Sequence, residues 1–274
     1  MSAVVHVAVP PAEAELAADA LWQAGAAAIE ERPGLLVAAA RGGAGSTAGD
    51  PAGLLAAVAG RWPAELVGVD AGAALDGWRP HARAVAVGDR LVVRPPWVAA
   101  PRAGAVDVVI DPGWAFGHGG HPSTRLALAA LDDLVRGGER VLDVGCGSGV
   151  LAIAALALGA AGAVAVDVDA EAVRATRANA ARNGVAARLA VHDPGGTELV
   201  AGRFDLVVAN MLLPDLVAVL PALPARLAPG GEVVLSGVLA AQRDDLLAGC
   251  AAAGLVAGGD RTEGGWLAVT LRAG

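Results

Sequence analysis

The sequence predicts an α/β protein: a mostly parallel sheet covered by helices on both faces, preceded by a smaller α+β module. Three observations carry that expectation. From residue 140 onward, short apolar strands alternate with helical segments, the order that builds parallel sheets. One of these strands runs directly into a glycine-rich turn and a helix, Val141-Leu142-Asp143-Val144-Gly145-Cys146-Gly147-Ser148-Gly149, and such sheets bind ligands beyond the carboxyl ends of their strands. Residues 1–69, by contrast, read as strand, helix, strand, strand, helix, strand, the order of a ferredoxin-like split unit.

Taken in order, residues 3–9 form an apolar strand, and 12–24 a helix with Leu16, Ala17, Ala20, Leu21 and Ala24 on one face and Gly25 as its stop signal. Strands at 26–31 and 34–40 flank the turn Arg32-Pro33-Gly34, a proline opens a helix at 51–59, and 65–69 closes the module as a strand. The expected organisation is therefore a module over 1–69, an Ala/Gly-rich connector over 70–84 and a second domain over 85–274. Within that domain strands are expected at 90–94, 106–110, 140–144, 163–166, 187–191, 205–209, 231–236 and 266–271. Helices are expected at 150–158, 170–182, 214–227 and 240–253.

Composition narrows the function classes. Hydrophobic residues make up 55% of the 274 and charged residues 18%, which excludes disorder over most of the length. With no Tyr, two Phe and six Trp, the core has to be built from Ala, Val and Leu. Twenty basic residues, all arginine, against 28 acidic ones leave a net charge of −8. That balance disfavours binding nucleic acid by phosphate neutralisation and suits a basic protein partner or no partner at all. Residues 1–69 alone carry seven acids and three bases, net −4.

Cys146 and Cys250 lack His or Cys neighbours at metal-ligand spacing, so neither a zinc site nor a disulfide framework is expected, and a cytoplasmic setting is the simplest. The first thirty residues hold Glu13, Glu15 and Asp19 without a basic stretch, which argues against a secretory signal. From Val144 to Val166 run 23 uncharged residues, long enough by count to cross a bilayer. That run opens on the glycine turn, is dominated by Ala and Gly and is bounded by Asp143 and Asp167. No membrane association is expected.

The glycine turn carries the sharpest chemistry. Gly145, Gly147 and Gly149 permit unusual backbone angles and close approach of a ligand to the main chain. A nicotinamide fingerprint would place its third glycine at position 150, which is Val, and a phosphate-binding P-loop would need a lysine, which the chain lacks. Asp143 would repel a pyrophosphate but can face the cationic amino end of a zwitterion. Asp167, at the next strand end, is placed to accept from ribose hydroxyls. Asp193, in His192-Asp193-Pro194, either reaches an adenine amino group or is an ordinary turn residue. Asn210 stands where the apolar strand Phe204-Asp205-Leu206-Val207-Val208-Ala209 emerges, and its amide carbonyl can orient an attacking amine or hold part of a cofactor. The spacing His118-x-x-His121 lacks a third ligand, so no metal is expected.

The pattern Asp-x-Gly-x-Gly-Ser-Gly resembles the cofactor loop of class I S-adenosylmethionine-dependent methyltransferases. The stretch Ala115-Phe116-Gly117-His118-Gly119-Gly120-His121-Pro122-Ser123-Thr124 is similar to the Ala-Phe-Gly-Thr-Gly-x-His-x-Thr-Thr signature of the ribosomal protein L-eleven methyltransferase family. Further matches are Leu21-Trp22 with Gly25-Ala26, Val87-Gly88-Asp89-Arg90-Leu91, Asn179 with Arg182-Asn183-Gly184, Val208-Ala209-Asn210 and Ser236-Gly237-Val238-Leu239. The resemblance implies that Thr124, Gly145, Asp167 and Asn210 contact S-adenosylmethionine, and that residues 1–69 form a substrate-recognition domain. His118 stands where the family has Thr, and Ser123-Thr124 replaces a Thr-Thr pair.

The resemblance also implies repeated methylation of α- and lysine ε-amines of a basic large-subunit ribosomal protein. Several target sites require the domains to reorient, which makes the connector, with Gly72 and Gly77, the candidate hinge, and a monomer is expected. Two alternatives stand beside it. One is another amine or small-molecule methyltransferase on the same fold. The other is a cofactor-binding module without turnover.

Overall fold

The computed structural model describes residues 2–40, 51–69, 83–100, 104–111, 119–192 and 200–274. The expected connector over 70–84 falls almost wholly outside the described residues, as do His118, Asp193 and both glycines of the expected hinge. The chain separates into two compact units, Met1–His81 and Ala82–Gly274.

The first unit contains β1 (Ser2–Ala8), α1 (Ala14–Gln23), β2 (Ala26–Arg32), β3 (Leu35–Ala40), α2 (Pro51–Val58) and β4 (Ala64–Val69). Its sheet has the order β2-β3-β1-β4 with antiparallel neighbours. That order places the two outer strands of the split unit beside β1 and β3, the ferredoxin-like arrangement. Alternate residues Val5 and Val7 of β1 pack with Ala17 and Leu21 of α1 and with Leu54 and Val58 of α2. The helix buries Ala14, Ala17 and Leu21, whereas Leu16, expected on the same face, is 46% exposed. A single residue turns the helix by about 100°, so Leu16 lies beside the buried stripe.

The second unit opens with β5 (Val85–Val87), β6 (Leu91–Arg94) and β7 (Val106–Val109), which form their own small sheet. Then follow α3 (Pro122–Leu134), β8 (Arg140–Val144), α4 (Val150–Leu158), β9 (Gly162–Val166), α5 (Ala170–Arg182), β10 (Leu189–His192), β11 (Phe204–Asn210), α6 (Leu213–Val219), β12 (Leu227–Leu239), α7 (Arg243–Ala252), β13 (Leu255–Glu263) and β14 (Trp266–Ala273). Seven strands make the main sheet in the order β10-β9-β8-β11-β12-β14-β13, with β14 antiparallel to both its neighbours. The chain winds outward from β8 in one direction and from β11 in the other. The switch in direction falls between those two strands, the position beyond whose carboxyl ends sheets of this kind bind their ligands.

One face of this sheet packs Leu128, Leu131, Ile153 and Leu156 together with the small sheet, and the other packs Phe204, Leu216, Leu220 and Leu246. All but one of the nine residues of α4 are buried, as befits a helix apolar all round. The long uncharged run is thus a turn, a short helix and a strand, and among the described residues no helix is long and apolar enough to cross a membrane.

Several boundaries differ from expectation for physical reasons. The helix expected over 214–227 ends at Val219 and continues as two 3-10 turns beginning at Leu220 and Pro224, because Pro221 and Pro224 have no N–H to continue an α-helix. The strand β13 carries no apolar alternation: it is exposed along nearly its whole length and is held by main-chain pairing with β14. Periodicity cannot reveal a strand without a buried face.

Candidate functional site

At the end of β8 the backbone is pinned before any side chain acts. The Gly145 and Cys146 amides both donate to the Val166 carbonyl, and Gly149 N–H donates to Cys146 O. Gly145 has φ of 73°, and a Cβ there would stand 2.5 Å from Met211 Sδ. Both the backbone angle and the packing demand glycine. Gly149, at φ 80°, caps α4 and faces Thr176 at 2.8 Å from where its Cβ would be. The Gly147 amide donates to Asp167 Oδ2 at 2.8 Å, and Asp169 N–H donates to Asp167 Oδ1 at 2.9 Å. Asp167 therefore ties the glycine turn to the loop that follows β9.

Asp143 is fully buried, and its Oδ2 accepts from the Ala152 amide at 3.0 Å in the first turn of α4. Its Oδ1 has no partner among the described residues. Burial is the main cause that pushes this carboxyl up to about 7, opposed by the Ala152 bond and reinforced by the charge of Asp167. The positive end of α4, which would hold a pyrophosphate in a dinucleotide site, is thus occupied by a carboxylate of the chain itself. Burial likewise pushes the Cys146 thiol up, and its Sγ lies 3.3 Å from Thr176 Oγ1.

Strand β11 runs beside β8 with Ala209 opposite Val144, so Asn210 comes out next to the glycine turn. Its Nδ2 donates to Thr124 Oγ1 at 3.2 Å, and its Oδ1 is buried without a partner among the described residues. Thr124 is itself fully buried in the first turn of α3. That turn is fixed in two ways: His121 Nδ1 accepts from the Ser123 amide at 3.3 Å, and Ser236 Oγ donates to Ser123 O at 3.0 Å. The structure thus brings Thr124, Asp143, Gly145, Gly147, Gly149, Asp167 and Asn210 to one end of the sheet.

Thr176, which has no motif to mark it, and Asn179 and the stretch 87–91, which match the family without an assigned role, all hold the framework of the site. Thr176 donates to Gly147 O at 2.9 Å, and Asn179 Nδ2 donates to Ser148 O at 3.0 Å. Both are fully buried on α5, and two polar residues three apart beside a buried Ala180 were the available signal. In Val87-Gly88-Asp89-Arg90-Leu91, the Asp89 amide and Arg90 Nε both donate to the buried Asp132 at 2.9 Å, and Arg90 also reaches the Asp132 carbonyl. That motif anchors the small sheet to α3.

The strand order with its antiparallel β14, and a glycine turn carrying acids where a phosphate site would need positive charge, define a class I methyltransferase fold. The chain belongs to the ribosomal protein L11 methyltransferase (PrmA) family, whose model matches residues 71–273. A relative from Symbiobacterium thermophilum named ribosomal protein L11 methyltransferase is 40% identical over 195 residues, covering 70% of this chain and 63% of its own. One of the same name from Thiobacillus denitrificans is 50% identical over 164 residues, 60% of this chain and 54% of its own. The chain thus spans between about half and two thirds of the length of these curated relatives. The crystal structure of a ribosomal protein L11 methylase from Lactobacillus delbrueckii subsp. bulgaricus superposes with a TM-score of 0.64 at 30% identity, over 69% of this chain and 98% of that one.

The donor set fits S-adenosylmethionine, the cofactor of this class. Two buried carboxylate and amide oxygens, Asp143 Oδ1 and Asn210 Oδ1, lack partners, and unpaired buried acceptors call for a donor or a cation. A sulfonium amino acid offers both.

Proposed function

We propose that the chain transfers methyl groups from S-adenosylmethionine to α- and lysine ε-amines of a basic large-subunit ribosomal protein of the L11 type. The single observation that carries this reading is the buried, unpaired Asn210 Oδ1 at the carboxyl end of β11, oriented by Thr124 and adjacent to the glycine turn. The names of the relatives supply the substrate, and the net charge of −4 over residues 1–69 suits a basic partner.

Gly145, Gly147 and Gly149 would cradle the cofactor, with Asp143, Asp167 and Thr124 around it; Asp193 belongs to the same proposed set and lies outside the described residues. When bound, the cofactor supplies a methyl group on a positively charged sulfur. The residues of the chain do the rest by alignment. Asn210 Oδ1 accepts an N–H of the incoming amine, leaving the nitrogen lone pair for the methyl carbon. A lysine amine titrates near about 10.4, so it has to give up its proton before it can attack; removal from water favours the uncharged form, and Asn210 orients the amine without taking that proton. An amine held in this way by Asn210 would be aligned in line with the methyl group that the cofactor would supply, with S-adenosylhomocysteine as the leaving thioether.

Residues 1–69 act in this proposal as the recognition domain and 85–274 as the catalytic domain of a cytoplasmic monomer, with reorientation through the connector presenting successive amines. The test is labelled methyl transfer to a purified L11-type protein, followed by mass mapping. Label on its amines supports the proposal. Label confined to a small molecule would replace the substrate, and cofactor binding without transfer would reduce the chain to a binding module.

A further inference from the structure

Helix α5 presents a ladder of side-chain amides to the end of the small sheet. Asn179 Oδ1 accepts from the Asp111 amide at 2.9 Å, and its Nδ2 donates back to Asp111 O at 2.9 Å. One turn further on, Asn183 Oδ1 accepts from Val109 N–H at 2.8 Å and its Nδ2 donates to Val109 O at 2.7 Å. The match is geometric: helix positions four apart advance about 6 Å and alternate strand residues about 6.6 Å. Two asparagines four apart can therefore pair with residues 111 and 109 as a neighbouring strand would.

The two rungs differ in where their remaining Nδ2 hydrogen goes. Asn183 returns it to its own helix, at Asn179 O, 2.8 Å away. Asn179 sends it to Ser148 O at 3.0 Å, inside the glycine turn. Asn179 is fully buried, and all three of its bonds go to main-chain atoms of two segments far apart in sequence. An ion pair between Arg182 and Asp111 at 3.3 Å supports the same junction.

We infer that Asn179 is a positioning residue for cofactor binding: its amide locks the glycine turn to the 109–111 segment, so that the turn keeps its ligand-ready shape. The inference rests on the S-adenosylmethionine reading above and deepens it. Asn183, which holds the same strand without reaching the turn, is the internal control.

Calorimetric titration of the whole chain with S-adenosylhomocysteine tests it. Because a buried carbonyl loses its donor, Asn179→Ala is expected to weaken binding about ten-fold or more, whereas Asn183→Ala stays within about two-fold of wild type despite a comparable loss of thermal stability. Asn179→Asp keeps the shape but removes both donors, and is expected to bind as poorly as the alanine variant. Should both of these fail to fold, Asn179→Ser retains one donor and is expected to fall between wild type and complete loss. Equal affinities in wild type and any folded Asn179 variant would overturn the inference, as would equal losses at positions 179 and 183. Failure of the wild type itself to bind would instead overturn the cofactor reading.

Discussion

The ends of β8 and β11 lie side by side in one sheet yet are built to opposite rules. At the end of β8 most polar atoms serve the fold, with Asp143 Oδ1 the exception among the described residues: Asp167 holds two amides, Thr176 and Asn179 hold two carbonyls of the glycine turn, and Asp143 Oδ2 accepts from the first turn of α4. At the end of β11 the Asn210 amide is held through its nitrogen and leaves its oxygen empty. The first end spends its hydrogen bonds on a backbone shape. The second leaves the Asn210 oxygen without a donor among the described residues, and a buried acceptor in that state calls for a partner such as a ligand. The difference teaches that removing polar groups should disturb stability and binding at β8 but turnover at β11.

The largest effect is expected where that contrast is sharpest. Asn210→Ala should lower methyl transfer by about a hundred-fold or more while moving the melting temperature only a few degrees, since a single hydrogen bond to Thr124 is lost. Initial rates and thermal unfolding on the same preparation check it; a large stability loss with normal turnover would erase the contrast.

On the β8 side, the buried Asp143 makes stability depend on pH. Its carboxyl is raised from 3.8 to about 7, so the folded chain binds a proton more readily than the unfolded one. Its contribution is complete below about pH 4 and is lost as the pH rises through about 7, by an amount on the order of 4 kcal/mol. Asp143→Asn stays neutral throughout. In denaturant titrations without cofactor, the variant is expected to gain on the wild type between pH 4 and 7, and a constant difference would show that Asp143 is already charged at low pH.

Gly145→Ala is expected to cost about 2 kcal/mol from its backbone angle and the collision with Met211. Adding Met211→Ala should recover only the second part, and full recovery would mean that the angle is not strained. The smallest effect is at Asp167. Asp167→Ala should weaken cofactor binding about ten-fold by freeing the Gly147 amide, and unchanged affinity by calorimetry would remove it from the site.

Much of this was readable beforehand because the signals were local. Alternating strands and helices announce a parallel sheet, and Gly145 to Gly149 between a strand and a helix announce its binding turn. What local pattern could not show was partnership. Asn179 and Asn183, noted in the sequence only as matches to a family, show their partners once the 109–111 segment is laid against α5. Strand β13 has no sequence signature because it is held by pairing with β14 and by ion pairs such as Arg243–Asp260, not by a buried face. Leu16 misled for the reverse reason: an apolar residue one step from the true stripe scores as part of it.

The sequence by itself determined the class of fold, the crevice and the acidic character that turns it away from phosphate, because glycine angles, charge and apolar period act over a few neighbouring residues. The tertiary structure decided which polar atoms are spent and which are spare. That distinction depends on Thr124 meeting Asn210 and Ala152 meeting Asp143, contacts that exist only once distant strands and helices have packed and water has been excluded from between them.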